Sequence, residues 1–289
     1  MTVRLLWQGS GWAEEGAPVP APAGALVVDS FLLENGTVRD LDVHLDRFTR
    51  SCLALRLVSD TARLREFLAL ARDSLPVLGR WFPRIEAHPA PRTPGTAPRL
   101  VLWVREAPPV SEQVRLWVPP EPDPRGTPGI KGPDLAVLAG LRDHARRQGA
   151  DDAILLADDG TVLEAAHSAL VWWRGDVLCH PHHELPLLPS VTARRVLELA
   201  RDRGIALRPE HCPWPRLLDA EVWTLNALHG VRPVVGWSHA GREVDGSSLD
   251  RSPLDRSPLD RARLADFRWL LSGRTSGSSE AAQTPAVRH

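Results

Sequence analysis

The segment PPEPDPRGTPG, residues 119–129, divides the sequence near its middle. Proline fixes φ and lacks an N–H donor, and glycine loosens the chain, so neither a helix interior nor a central strand can run through it. The residues on each side suffice for a separate hydrophobic core. This predicts a small N-terminal domain (1–115), an interdomain linker (116–130), a larger second domain (131–271) and a polar, disordered tail (272–289).

The first part of the chain mixes strands with helices. Its first ~25 residues are rich in Gly, Pro and Ala and predict an extended arm. Two short strands are predicted around Asn35-Gly36, a strong hairpin turn signal. Apolar residues at helical spacing predict a helix over 41–55, and a second helix over roughly 60–75 follows Asp60 as its N-cap. The stretches PRLVLWVRE and QVRLWVPP predict two longer strands.

The second part again mixes the two kinds of element. An amphipathic helix is predicted to end at Gly149, and a β-meander follows with turns at Asp159-Gly160 and Gly175-Asp176. A further helix begins after Ser190, and a repeat of Asp-Arg-Ser-Pro-Leu is interpreted as a spacer before the last helix. Because strands do not alternate strictly with helices, the pattern favours a mixed α+β fold over a doubly wound parallel sheet.

The net charge, the apolar runs and the cysteine spacing exclude several classes of protein. A net charge of −1 offers no electrostatic case for binding nucleic acid or an anionic membrane. No apolar run reaches the ~20 residues of a spanning helix, and the N-terminal residues do not resemble a signal peptide, so we expect a cytoplasmic protein. The three cysteines are widely spaced and predict packing residues. The histidine-rich stretch HPHHELP is interpreted as a polar loop, and no metal site is predicted.

Lys131 is the single lysine among 35 lysines and arginines. Coding bias explains the preference for arginine, and a surviving lysine can be an ordinary surface residue. A lysine amine, however, can lose its proton and attack a carbonyl to form a Schiff base, which a guanidinium with a pKa above ~12 cannot do. The position of Lys131, between the linker and a helix, is consistent with a cleft between two domains.

Three further features match the needs of a Schiff-base cofactor. Glu164 lies on a predicted strand, Ser190-Val191-Thr192 opens a helix whose N-terminus favours a phosphate, and Arg47 supplies a second phosphate contact. Amine, carboxylate and phosphate cup are the parts that hold pyridoxal phosphate. Each also has a plain alternative: a solvated hairpin residue, an ordinary first helical turn and a surface arginine.

Four segments together resemble the class IV aminotransferases over residues 28–236: NGTVRDLDVHLDRFTRSCLAL, the region from GIKGPDLAV to WWRGD, LLPSVTARRVLELARDRGI and DAEVWTLNALHGVRPV. The resemblance implies a homodimeric pyridoxal-phosphate enzyme of fold type IV, with a small α+β domain and a larger pseudobarrel domain. It implies that Lys131 forms the Schiff base and that Glu164 faces the pyridine nitrogen. The implied cofactor-binding residues are Arg47, Lys131, Glu164, Val191, Thr192, Asn226 and Ala227.

Departures from the family bear on the reaction. The chain has no tyrosine, whereas transaminases of the family commonly carry one shortly after the lysine. Ala227 stands where they tend to have Ser or Thr, which resembles the aminodeoxychorismate lyase branch. Leu32 stands where that lyase tends to have Arg, and no arginines for a dicarboxylate are evident. We favour a lyase that releases pyruvate; a transaminase for a small or hydrophobic amino acid and a degenerate, non-catalytic member remain alternatives.

Overall fold

A computed structural model describes residues 2–9, 11–14, 27–58, 60–90, 98–239, 242–244 and 259–272. Within these ranges the α-helices are α1 (Leu41–Ala54), α2 (Thr61–Asp73), α3 (Leu135–Arg147), α4 (Val191–Asp202) and α5 (Arg261–Leu271), and a short 3₁₀ helix spans Trp214–Leu217. Residues 251–258, which carry most of the predicted spacer repeat, and 273–289, which carry the predicted disordered tail, lie outside the described residues. Among the residues described, no helix is long and apolar enough to cross a membrane.

The first part of the chain builds two sheets. A five-stranded sheet has the order β2-β1-β8-β7-β3, and a small three-stranded sheet has the order β5-β4-β6. Helices α1 and α2 cover the larger sheet around a core that includes Phe48, Phe67 and Leu102. The strands are β1 (Thr2–Trp7), β2 (Trp12–Glu14), β3 (Val27–Ser30), β4 (Leu33–Glu34), β5 (Thr37–Val38), β6 (Arg80–Trp81), β7 (Arg84–His88) and β8 (Arg99–Arg105).

The prediction of an extended N-terminal arm is wrong for the first residues. β1 pairs antiparallel with β8, with Leu5 opposite Leu102, and β2 folds back on β1. Apolar side chains recur along β1 and end in the buried Trp7, and β1 shares hydrogen bonds with a strand already in the core. The Pro-rich residues 15–26 lie outside the described residues.

Local signals in the sequence set several element boundaries. Asn35 and Gly36 have φ values of 48° and 77°, the left-handed pair that a tight hairpin turn requires. The Asp60 carboxylate accepts the N–H groups of Ala62 and Arg63 and so caps α2, as predicted. Gly149 and Gly204 also have positive φ where α3 and α4 stop.

The second part of the chain forms one curled sheet of nine strands, ordered β11-β10-β9-β16-β15-β12-β13-β14, with β17 beside β16. One isolated bridge, Thr161–Pro213, links the two ends of this order and turns the sheet toward a half-barrel, and another, Ala165–Ser168, joins the end of β11 to the start of β12. The strands are β9 (Val114–Val118), β10 (Asp152–Leu156), β11 (Val162–Ala165), β12 (Ala169–Arg174), β13 (Val177–Pro181), β14 (Leu207–Glu210), β15 (Glu221–Asn226), β16 (Gly230–His239) and β17 (Arg242–Val244).

Strand β9 sets where the two parts of the chain meet. It lies between β10 and β16 and is parallel to both, so it belongs to the second sheet. The predicted boundary between residues 115 and 116 therefore falls inside a strand, and the irregular chain runs from residue 119 into Lys131. The sequence could not reveal this because the partners of β9 follow it by at least thirty-four residues.

Both sides of the curled sheet are packed. Trp172 lies in a cluster with Leu116 and Trp237, whereas the adjacent Trp173 packs on Trp223 and Phe267 under α4 and α5. Alternation along β12 sends the two rings to opposite faces, and both are fully buried. This packing fixes the strands that carry the residues described next.

Candidate active site

A cavity of about 1240 Å³ lies between the five-stranded sheet and the curled sheet. Arg47 comes from α1, Glu164 from β11, and Lys131 from the irregular segment before α3. The structure brings all of the sequence-predicted site residues to this one cavity: Arg47, Lys131, Glu164, Val191, Thr192, Asn226 and Ala227. We call the side formed by these residues the cofactor wall.

A backbone hydrogen bond holds Lys131 in place, and the surroundings of its side chain lower its pKa. Its carbonyl accepts the Val28 N–H at 2.8 Å, which ties the segment before α3 to β3. Burial and the positive charge of Arg47 lower the pKa of Lys131 to about 8, against the opposing pull of Asp29. Because a free lysine titrates near 10.4, far more of this amine is neutral and nucleophilic at neutral pH.

Glu164 is buried, and its two described hydrogen bonds share one oxygen. Its Oε1 accepts from Arg125 Nη1 at 2.5 Å and from the Leu188 N–H at 2.9 Å. Burial raises the pKa of Glu164, and Arg125 offsets part of that rise. Since both bonds of the described residues fall on Oε1, Oε2 is the oxygen available to a protonated ring nitrogen.

Arg125 was missed in the sequence because it lies in the predicted linker. Its Nη2 donates to Asp123 Oδ2 at 2.8 Å and to the Pro186 carbonyl at 3.3 Å, while Nη1 reaches Glu164. Burial lowers the pKa of Arg125, but Asp123 and Glu164 outweigh it, so the net pKa is raised. The signal available was an arginine with an acidic neighbour shortly before Lys131. The linker is thus part of the site.

Arg47 is anchored in a buried charge cluster. Its Nε and Nη2 donate to the two oxygens of Asp29 at 2.8 and 2.9 Å, and His44 Nδ1 lies 2.8 Å from Asp29 Oδ1. Burial would raise the pKa of Asp29, but Arg47 and His44 lower it to about 2. Arg47 Nη1 donates to the Pro189 carbonyl at 2.9 Å, which sets the turn before α4 and leaves other N–H groups for an anion.

The N-terminus of α4 provides backbone donors. Ser190 Oγ accepts the Ala193 N–H at 3.2 Å, and the Ser190 carbonyl accepts the Arg194 N–H. Among the described residues the N–H groups of Val191 and Thr192 have no acceptor, although both residues are buried in the cavity wall. Free N–H groups at the positive end of a helix dipole bind phosphate.

Asn226 shapes the neighbouring loop. Its Nδ2 donates to Ser168 Oγ at 2.9 Å, and its Oδ1 accepts the N–H groups of Leu228 and His229. These bonds hold the loop so that Ala227 borders the cavity. The side chain of Asn226 therefore positions the loop. Together, amine, carboxylate, guanidinium and free N–H groups form a donor set that fits pyridoxal phosphate.

Another part of the cavity lining is basic and aromatic, which the sequence had not suggested. Arg84 on β7 and Trp103 on β8 are cross-strand partners, and Arg105 follows on the same face. The guanidinium carbons of Arg84 and Arg105 lie 5.9 and 4.8 Å from the centre of the Trp103 ring. We call these three residues, which all line the cavity, the substrate wall.

The two arginines of the substrate wall differ in their charge partners. Arg84 Nε lies 2.9 Å from Glu86 Oε1, so its charge is balanced inside the sheet. Arg105 Nε donates to the Phe82 carbonyl at 2.9 Å, and within the described ranges Arg105 has no ion pair. Burial and nearby Arg84 lower the pKa of Arg105, and the negative charge of Glu86 offsets part of that fall. Arg105 is thus ready for an anionic ligand.

Comparisons with known proteins agree with the family resemblance seen in the sequence. The chain matches the family described as amino-transferase class IV over residues 26–237. An aminodeoxychorismate lyase from Vibrio harveyi is 33% identical over 95 residues, which cover 32% of this chain and 35% of that protein. The match thus spans about a third of that relative's length.

Solved structures establish the fold. A fold IV-transaminase from Curtobacterium pusillum superposes with a TM-score of 0.76 at 21% identity, covering 95% of this chain and 100% of that one. A hypothetical aminotransferase from Mycobacterium tuberculosis, in a PLP-bound form, gives 0.72 at 21% identity, covering 93% and 98%. The predicted α+β fold of type IV is confirmed.

Proposed function

This chain belongs to the class IV aminotransferase family and is therefore a pyridoxal-phosphate-dependent enzyme; from that premise we propose that it is a lyase of the aminodeoxychorismate type. It releases pyruvate from a cyclic amino substrate that carries carboxylates. The observation that carries this choice is Arg105, a cation of the substrate wall with no ion pair among the described residues, beside the flat face of Trp103.

Each residue of the cofactor wall has a stated task. Bound pyridoxal phosphate supplies the electron sink that stabilises negative charge at the substrate carbon bearing the amine. Lys131 would hold the cofactor through its amine and take the proton from that carbon as the neighbouring C–O bond breaks. It would then return a proton to the enolpyruvate that leaves, which becomes pyruvate. Glu164 keeps the ring nitrogen protonated, and Arg125 keeps Glu164 in place.

The phosphate would be held at the N-terminus of α4. The N–H groups of Val191 and Thr192, together with the dipole of α4, would bind it, and Arg47 would add a positive charge. Arg47 also sets the turn before α4 through Pro189, so the same side chain would both order the phosphate cup and bind the phosphate. Ala227 borders the cavity on the neighbouring loop.

The substrate wall suits a ring with carboxylates better than a small apolar side chain. A guanidinium recognises a carboxylate through paired hydrogen bonds, and Trp103 offers a face for a planar ring. Burying Arg105 beside a small aliphatic group would leave its charge without an ion pair among the described residues. This supports the lyase over a transaminase for hydrophobic amino acids, as does the similarity to aminodeoxychorismate lyase over 95 residues.

An assay without a keto-acid acceptor distinguishes the lyase from a transaminase and from a degenerate, non-catalytic member. Purified enzyme with pyridoxal phosphate and 4-amino-4-deoxychorismate, but no keto acid, is assayed for pyruvate by coupling to lactate dehydrogenase. We expect pyruvate from the wild type and at least about 10³-fold slower release from Lys131→Arg. Turnover that requires a keto-acid acceptor would identify a transaminase. No turnover with or without an acceptor would identify a degenerate, non-catalytic member.

We also propose that the protein is a homodimer, as the family resemblance implies. Val77 and Leu78 lie side by side between α2 and β6 and are each 75% exposed, an apolar surface suited to a second copy of the chain. Sedimentation equilibrium of the full chain tests this. A monomer at micromolar concentrations would contradict it.

A further inference from the structure

A cluster of imidazoles lies at the ends of β13 and β14, in a region that the proposed reaction does not use. The two strands are parallel, with Pro181 opposite Glu210, and the His182 N–H donates to the Glu210 carbonyl at 3.0 Å. This pairing places His182 beside His211, with ring centres 4.7 Å apart and planes 28° from parallel. The sequence indicated only the histidine-rich stretch around His182, because His211 lies close to it only when β14 pairs with β13.

Glu184 completes a group of three ligands. One potential ligand atom from each of His182, Glu184 and His211 lies within 4.8 Å of the other two. His182 Nδ1 is 3.5 Å from Glu184 Oε2. In a tetrahedral zinc site with bonds of about 2.0 Å, neighbouring ligand atoms are roughly 3.3 Å apart, so this edge is already of the right length.

We propose that His182, Glu184 and His211 bind a divalent transition metal, with Zn²⁺ as the representative ion. Two imidazoles and a carboxylate suit Zn²⁺, Ni²⁺ or Cu²⁺ and not Mg²⁺ or Ca²⁺, which prefer oxygen ligands. Glu184 and His211 are exposed, so their side chains can rotate to close the remaining distances, and water completes the coordination.

The bound ion would join the strand ends to the loop that borders the cavity. That loop contributes the Pro186 carbonyl to Arg125, the Leu188 N–H to Glu164 and the Pro189 carbonyl to Arg47. A metal that fixes His182 and Glu184 at the start of the loop restricts its motion. The metal site would thus be structural: it stabilises the loop and takes no part in the reaction.

The test measures metal binding directly. The full chain, stripped with a chelator, is titrated with ZnCl₂ by isothermal calorimetry, and Co²⁺ absorption reports the ligand set. His211→Ala removes an imidazole ligand, and Glu184→Gln replaces the carboxylate with a neutral amide, which binds a metal ion more weakly. His183→Ala is the matched control, since His183 is an exposed imidazole stacked on His182 at 4.3 Å but outside the group of three.

We expect one zinc ion per chain, an affinity lowered at least about 10-fold in His211→Ala and Glu184→Gln, and a change under about 2-fold in His183→Ala. Zinc should also raise the unfolding temperature of the wild type and not of His211→Ala. Because the substituted residues are exposed, unfolding without metal should be unchanged. No zinc binding by the wild type, or equal weakening in all three variants, would overturn the proposal.

Discussion

The cofactor wall and the substrate wall line one cavity but are built differently. In the cofactor wall most charges are already partnered: Arg47 on Asp29, and Glu164 on Arg125. In the substrate wall Arg105 is held by a backbone carbonyl and an aromatic ring, with no ion pair in the described part of the chain. Under the proposed function, the wall with partnered charges holds the permanent cofactor. The wall with a cation that has no described ion pair selects the anionic substrate.

The largest effect is expected at Lys131. In Lys131→Arg the positive charge remains, but the amine that carries the cofactor and moves the proton is gone. We expect turnover to fall by on the order of 10³-fold or more, as for loss of a general acid–base group. Pyruvate release under saturating substrate measures it. Turnover within tenfold of wild type would contradict the role given to Lys131.

Glu164→Gln should have the next largest effect. The amide keeps the shape but cannot sustain a protonated ring nitrogen, and it leaves Arg125 without that charge partner. Turnover should fall by roughly 10²-fold, comparable to loss of a preorganised electrostatic contact, while the phosphate cup still binds the cofactor. Glu198→Gln, a change at a partly exposed residue of α4 that pairs with Arg194 and does not line the cavity, serves as the control and should leave turnover unchanged.

Arg105→Gln tests the substrate wall separately. Loss of a charged hydrogen bond to a substrate carboxylate costs about 1.5–3 kcal/mol, so KM should rise about 10-fold or more. Turnover at saturation and cofactor affinity should stay the same, because Arg105 belongs to the substrate wall and not to the cofactor wall. The exposed Arg50→Gln provides the comparison. A fall in turnover with unchanged KM would place Arg105 in the chemistry instead.

The pH dependence of cofactor capture is the next smaller effect. The neutral amine is the nucleophile, and the pKa of Lys131 is lowered to about 8 by burial and by Arg47. Capture should therefore speed up as pH rises, by roughly 5-fold between pH 7 and 8, and level off above the pKa. Stopped-flow absorbance follows it. A rate still rising tenfold per unit above pH 9 would show an unperturbed lysine.

The smallest effect is expected from the cap of α4. Ser190→Ala removes the bond to the Ala193 N–H and should cost about 1 kcal/mol of stability and weaken cofactor binding a few-fold. Asp60→Ala removes the equivalent cap of α2, away from the cavity. It should cause a similar loss of stability with unchanged cofactor affinity. Equal effects of both on cofactor affinity would show that the phosphate cup does not depend on α4.

The difference between the cofactor wall and the substrate wall also separates what the sequence could predict from what it could not. The turn at Asn35-Gly36 and the caps at Asp60 and Ser190 depend on neighbouring residues, and the structure has them as predicted. The cofactor wall was accessible because its residues lie in segments that resemble one family.

The substrate wall depends on pairing across the sheet. Trp103 and Arg105 look like ordinary residues of an amphipathic strand until β8 is set beside β7, where Trp103 lies opposite Arg84. Arg125 was hidden for another reason, since Pro and Gly around it indicated only a linker. Tertiary contacts, not local propensity, decide both cases.

Lys131 offers an unusually direct measurement, because it is the only lysine in the chain. The enzyme is incubated with pyridoxal phosphate, reduced with borohydride, digested and mapped by mass spectrometry. The two-wall account predicts one pyridoxyl group per chain, on the peptide that contains Lys131, and none in Lys131→Arg. An unmodified Lys131, or an adduct confined to the N-terminal amine, would contradict it.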